Sequence, residues 1–130
     1  MAYEIPGIVH SFIAAADLSL YQFHFVKLSA DNTVNICAAD TDIPVGVLQN
    51  KPDAAGKPAQ VMMFGVTKLM IGTGGALTFS LAVGTDANGE AESEAVTDTT
   101  HYNVGRVLEG AAASVICTAI INCLNPMRNA

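Results

Sequence analysis

Apolar and polar residues alternate over short stretches of this chain, and turn-forming residues separate the stretches. Gln22 to Leu28 sets Phe23, Phe25 and Lys27 against Gln22, His24, Val26 and Leu28, the period of a strand. Thr33 to Ala38 places Val34 and Ile36 on one face, and the intervening "SADN" suits a hairpin turn. Val45 to Asn50 and Gln60 to Gly72 follow, joined by the Pro- and Gly-bearing connector "KPDAAGKPA". The second of these runs is long, and Gly65 at its middle predicts a bulge or bend. Ala76 to Gly84 and Glu90 to Val96 flank "TDANG", whose Asn88-Gly89 is the strongest hairpin signal present. "YNVGRVLEG" and "SVICTAIINCL" complete the series. Only Ala14 to Leu20 suggests a helical turn. The expectation is a mainly β fold, a compact single-domain β-barrel or β-sandwich with at most short helices. Residues 1–15 form an N-terminal arm or first strand, 16–124 the β domain and 125–130 a C-terminal tail.

The pattern also recurs. Each half reads strand, turn, strand, then "VGVLQN" or "VGRVLEG", a loop and a further strand. Gly46 matches Gly105, and Gln49 matches Glu109 within one residue. Two similar strand units packed together would account for this, since neither could bury its apolar face alone. Chance is the competing account, because V-G-x-L strings are common in β proteins.

Composition narrows the function classes. The 130 residues fit one domain. Apolar residues make up 51% and charged ones 14%, which suggests a surface partly covered by partners. Ala111 to Leu124 is the greasiest stretch and is too short to span a bilayer, so no membrane role is expected. The net charge is −6 and the few Lys and Arg are scattered, which argues against nucleic acid as a partner. The N-terminus lacks a basic segment followed by an apolar one, so no signal peptide is expected. Cys37, Cys117 and Cys123 have no paired spacing and read as buried, reduced thiols of a protein made in a cytoplasm.

No constellation reads as catalytic, so no enzyme and no cofactor are expected. His10, His24 and His101 stand far apart, and none belongs to a metal-binding motif. Glu90, Glu92 and Glu94 alternate, so a strand would point all three carboxylates one way. A solvated edge that discourages aggregation and a divalent-cation site are the two readings, and the edge is preferred. "IGTGGAL" precedes a strand-like run rather than a helix, so its glycines are a tight connection, not a phosphate loop.

The ordered series "AADLSLYQFHFVKLSADNTV", "DIPVGVLQNKPDAAGKPAQVMMFGVTKL", "GTDANGEAE" and "YNVGRVLEGAAASVICTAIIN" resembles the small capsid cement (decoration, head-stabilising) proteins of tailed bacteriophages. The shared frame runs from about Ala16 to Leu124. "TDTTHYN" and the "NPMRNA" tail depart from the shorter members. The resemblance implies a non-enzymatic virion protein on the outer capsid surface, commonly a homotrimer, that ties neighbouring major capsid subunits together. The N-terminal segment carries Tyr3, Ile5, Pro6, Ile8 and Phe12, and these are the expected partner contacts. Either they reach a partner from a free arm, or the segment packs on its own domain as a first strand. The alternative function is a small β-barrel module for a ligand or peptide, with Met62, Met63 and Phe64 lining its cavity.

Overall fold

The computed structural model describes residues 2–94 and 99–128. Val96, the end of one expected strand, lies outside the described residues. Eleven strands and no helix are present among the described residues: β1 (Ile5–Ala14), β2 (Phe25–Ala30), β3 (Thr33–Ile36), β4 (Gly46–Leu48), β5 (Pro58–Met70), β6 (Ala82–Thr85), β7 (Ala91–Ser93), β8 (Tyr102–Asn103), β9 (Gly105–Glu109), β10 (Ile116–Asn122) and β11 (Met127–Arg128). The expected mainly β fold is what forms. The expected helical turn at Ala14 to Leu20 is absent. Ala14 ends β1 and the residues after it form bends and a turn, with Asp17 accepting from the backbone amide and hydroxyl of Ser19.

Nine strands make one sheet in the order β1-β3-β2-β4-β5-β10-β9-β6-β7, and β1 also pairs with β5. The first five therefore close a circuit of pairings. β5 runs on past this circuit and begins a second one, because Ile71, just beyond its end, bridges Ala91 of β7 in parallel. The two circuits share the 13-residue β5.

Strand register shows that the circuits repeat. Val26 lies opposite Gly46 between β2 and β4, and Val83 lies opposite Gly105 between β6 and β9. In the hairpins, the pairs Val26–Ile36, Lys27–Asn35 and Leu28–Val34 correspond to Val83–Ser93, Gly84–Glu92 and Thr85–Ala91. β1 runs parallel to β3 where Ala14 meets Val34, as Ile71 meets Ala91. Loop hydrogen bonds recur too. The amides of Val45 and Val104 donate to the carbonyls of Val26 and Val83 at 2.8 and 2.9 Å. Those of Cys37 and Glu94 donate to Phe25 and Ala82 at 3.2 and 3.0 Å.

The backbone turns match as well. Phe23 (φ 66°) corresponds to Ser80 (φ 71°), Asn32 (53°) to Gly89 (75°) and Gly56 (86°) to Ser114 (62°). The left-handed conformation is costly for Phe and Ser, so its recurrence marks a turn the fold requires. Phe23 and Ser80 both donate their amides, at 2.7 Å, to the carbonyls of Leu48 and Val107. This turn explains why the strands expected from Gln22 and from Ala76 begin only at Phe25 and Ala82. A polar/apolar alternation reads through such a turn without registering it.

Gly46 and Gly105 have one role. A Cβ at Gly46 would collide with the Met62 carbonyl of β5, and one at Gly105 with the Ile120 carbonyl of β10. Each lets its short strand approach the neighbouring long strand, β5 or β10, at close range.

Each circuit encloses its own apolar filling. Phe12, Ala14, Leu18, Val26, Val34, Leu48, Ala59 and Val61 form the first cluster. Leu69, Ile71, Val83, Ala91, Val107, Cys117 and Ala119 belong to the second, at the positions that match Phe12, Ala14, Val26, Val34, Leu48, Ala59 and Val61. Phe25, Cys37, Val47 and Met62 from the first half also enter the second cluster. Val61 and Met62, adjacent on β5 and so pointing to opposite faces, thus serve different cores. All three cysteines are buried and free, and burial pushes the thiols of Cys37 and Cys123 up to about 12 and that of Cys117 to about 11. Finally, β8 pairs antiparallel with β11, so the two segments that depart from the cement-protein frame meet each other.

Candidate functional site

The N-terminal segment is the first strand of the sheet. β1 pairs antiparallel with β5 from Ile5–Val66 to Ile13–Pro58, with register shifts around Ile8. Its end is tied down by the Tyr3 amide on the Thr118 hydroxyl at 3.1 Å and by Glu4 facing Lys68 at 3.5 Å. Of the five expected contact residues, Tyr3, Ile5, Pro6 and Ile8 are exposed. Phe12 is not: it is 7% exposed and packs in the first core, with His10 edge-on at 4.6 Å. The other four face outward, whereas Phe12 packs inward and helps hold β1 onto the domain. Its partner across the strands is Ala59, a small core residue that leaves room for the ring.

The exposed residues of β1 do not stand alone. Ile8 lies beside Phe64 of β5, and Ile5, Val66, Ile120 and Arg106 form one cross-strand row over β1, β5, β10 and β9. Residues paired across strands point to the same face, so these side chains share one outer surface. Ile5 is 60%, Ile8 47% and Phe64 39% exposed. Next to them an open groove of about 340 Å³ runs past Phe64, Arg106, Ile120, Asn122 and Met127. A contiguous apolar row on an outer sheet face is a feature of surfaces that meet partners. Sequence reasoning found the β1 half of this surface through its aromatic and branched residues. It missed Ile120 and Arg106, and it took Met62, Met63 and Phe64 together as core or, on the alternative function, as a cavity lining, whereas Phe64 faces outward. Met62 fills the second core.

A second constellation gathers around His101. Its Nδ1 lies 3.3 Å from Glu94 Oε2 and 3.7 Å from Glu92 Oε1, and its Nε2 lies 3.4 Å from Asp40 Oδ2. The groups come from three places: the loop after β3, β7 with the residue following it, and the segment leading into β8. Glu90 stays apart at the hairpin turn, where its amide donates to Asp86 Oδ1 at 2.9 Å. The alternation of Glu92 and Glu94 was visible in the sequence, whereas Asp40 and His101 gave no signal there. His10 and His24 are accounted for locally, by Asn32 Oδ1 at 3.2 Å and the Gln22 carbonyl at 3.0 Å.

No family model and no curated protein matches the sequence. Among solved structures, the fold is similar to the N base of the head fiber gp8.5 of bacteriophage phi29. The likeness has a TM-score of 0.63 at 19% identity, and it covers 89% of this chain and 94% of that one. At that identity the likeness is one of fold.

Proposed function

We propose that this chain is a structural protein of a phage head, which sits on the outer capsid surface and stabilises contacts between major capsid subunits. The observation that carries this reading is the likeness of nearly the whole fold to the base of a phage head fiber. The exposed Ile5, Ile8, Phe64 and Ile120, with the half-buried Val66 between them, supply a contact surface suited to it. The cement-protein resemblance supports a homotrimer that bridges several subunits. On this reading the protein is not an enzyme, and its work is linkage. A protein that binds the assembled shell and not its dissociated subunits stabilises the shell by about 2.7 kcal/mol per site at a hundredfold excess over Kd. Several contacts per trimer add to this through multivalency.

The test is occupancy of heads. An Ile8→Asp, Phe64→Asp double variant alters exposed positions and is expected to fold. It should bind purified heads at least tenfold more weakly than the unaltered protein, and heads mixed with it should disassemble at a lower temperature. Unchanged occupancy would rule out this face as the contact.

A further inference from the structure

We propose that copies of this chain join head to tail, with the Ser80 turn of one copy, flanked by Phe79, Leu81 and Leu108, packed on Val9, Ser11 and Ile13 of β1 in the next. The pattern for this contact lies inside the chain, where the first unit meets the second. There the Phe23 turn of the first unit rests on β5, which serves as the first strand of the second. The Phe23 carbonyl accepts from the Met70 amide at 3.0 Å, and the Lys68 ammonium sits 5.6 Å from the centre of the Phe23 ring. Gln49, next to the Leu48 that accepts from the Phe23 amide, donates its side-chain amide to the Thr67 hydroxyl at 2.9 Å. Gln22, Phe23 and Gln49 are half-buried in this junction, and His24 is buried.

Both sides of that junction recur at the ends of the molecule, where they stand open. Ser80 matches Phe23, so Phe79, Leu81 and Leu108 match Gln22, His24 and Gln49. Ser80 donates to the Val107 carbonyl and Leu81 accepts from the Val107 amide, which brings Leu108 beside them. Phe79 is 74%, Leu81 37% and Leu108 41% exposed. At the other end Phe12 and Ala14 match Leu69 and Ile71, so Val9, Ser11 and Ile13 match Val66, Lys68 and Met70. The three on β5 are half-buried, whereas the three on β1 are exposed, Val9 at 42% and Ile13 at 44%. Were the Ser80 turn to meet only water, its positions would be the more polar set. The reverse holds, for the covered set is Gln22, His24 and Gln49 and the open set is Phe79, Leu81 and Leu108. An exposed apolar group of this kind marks a surface that meets a partner. The interface between units thus continues past both ends, and a second copy carries the strand that fits it. Ile13 donates its amide to the Asn32 carbonyl of its own unit at 2.9 Å, so the contact between copies is one of side chains. Such a contact is heterologous, and it closes into a ring when the rotation allows. Three copies would set six strand units around one axis; the count of three rests on the homotrimer of the proposed function, the contact itself on the repeat.

The test is sedimentation of the full chain in the absence of phage heads, so that failure of this contact and failure of the capsid reading are told apart. The proposal requires a trimer that persists at high salt, because none of the six contact residues is charged. Phe79→Glu and Ile13→Glu alter exposed positions. Each should weaken association about thirtyfold or more and give a monomer with an unaltered circular dichroism spectrum. Leu108→Glu should do the same, which guards against a folding fault in Phe79→Glu. Mixed together, the Phe79→Glu and Ile13→Glu chains should form a dimer, because each keeps the face that the other lacks and one junction is then intact. An unaltered protein that is monomeric, variants that remain trimeric, or a mixture that stays monomeric would each overturn the contact.

Discussion

The two strand units of this protein share a backbone and differ in where they carry charge. Register, parallel closure and the left-handed turns at Phe23 and Ser80 agree between them. So do the core positions, where Leu48 and Val61 of one unit match Val107 and Ala119 of the other. Yet one unit pairs Lys27 with Asp42, while the other has Gly84, Glu92, Glu94 and His101 at or near the same places. The difference teaches that the fold is specified by a few backbone requirements and by apolar volume. Positions outside that set are free to diverge, and the distinctive chemistry lies among them. The sharing of β5 adds a second lesson. One strand is the fifth of the first unit and acts as the first strand of the next, so neither unit is complete without the other.

The matched core positions give the largest expected effects. Phe12→Ala should cost about 3–5 kcal/mol and Leu69→Ala about 2–5 kcal/mol, because each empties the same place in its own circuit. Urea unfolding followed by circular dichroism and by tyrosine fluorescence should show one transition in each variant, since β5 joins the units. A loss below about 1 kcal/mol for Phe12→Ala would return that residue to the surface role expected from sequence. Two separated transitions would break the shared-strand account.

Much of this architecture was legible in the sequence. Gly46 and Gly105 align the two halves of the chain, and their shared close approach to a neighbouring carbonyl is the physical reason. Gly65 marked the bend in β5, where its φ is 140° and the β1 register shifts nearby. The turns at Phe23 and Ser80 were not legible, because neither residue type announces a left-handed backbone. The parallel closure of Ile71 on Ala91 was not legible either, being a contact between segments with no mutual sequence signal. The His101 cluster failed for the same reason. Glu92 and Glu94 show a pattern, but Asp40 lies far away in sequence and only the packing of one unit on the other brings it in.

The smallest expected effect separates the units by pH. Burial tends to raise the Asp42 carboxyl, but hydrogen bonds from Lys27 and from the Ala38 and Ala39 amides outweigh it and hold the group below its ordinary value of 3.8. A lowered folded value means the stabilisation is fully present above the unfolded value and is lost as pH falls through the folded one. Asp42→Asn should therefore lower the thermal midpoint by a constant amount at pH values above about 5, worth at most about 1 kcal/mol for this partly exposed pair. The gap to the unaltered protein should close as pH falls below about 4. A gap that persists at about pH 2 would show that Asp42 acts through shape and not charge.

The central claim is that this fold docks on a phage head through the outer face of β1, β5 and β10. An electron cryomicroscopy reconstruction of heads incubated with the protein tests it most directly. Docking of this kind predicts added density on the outer surface, fitted by three copies around a threefold point, with Ile5, Ile8, Phe64 and Ile120 turned towards the capsid. Heads without added density, or density in which that face points to solvent, would contradict it.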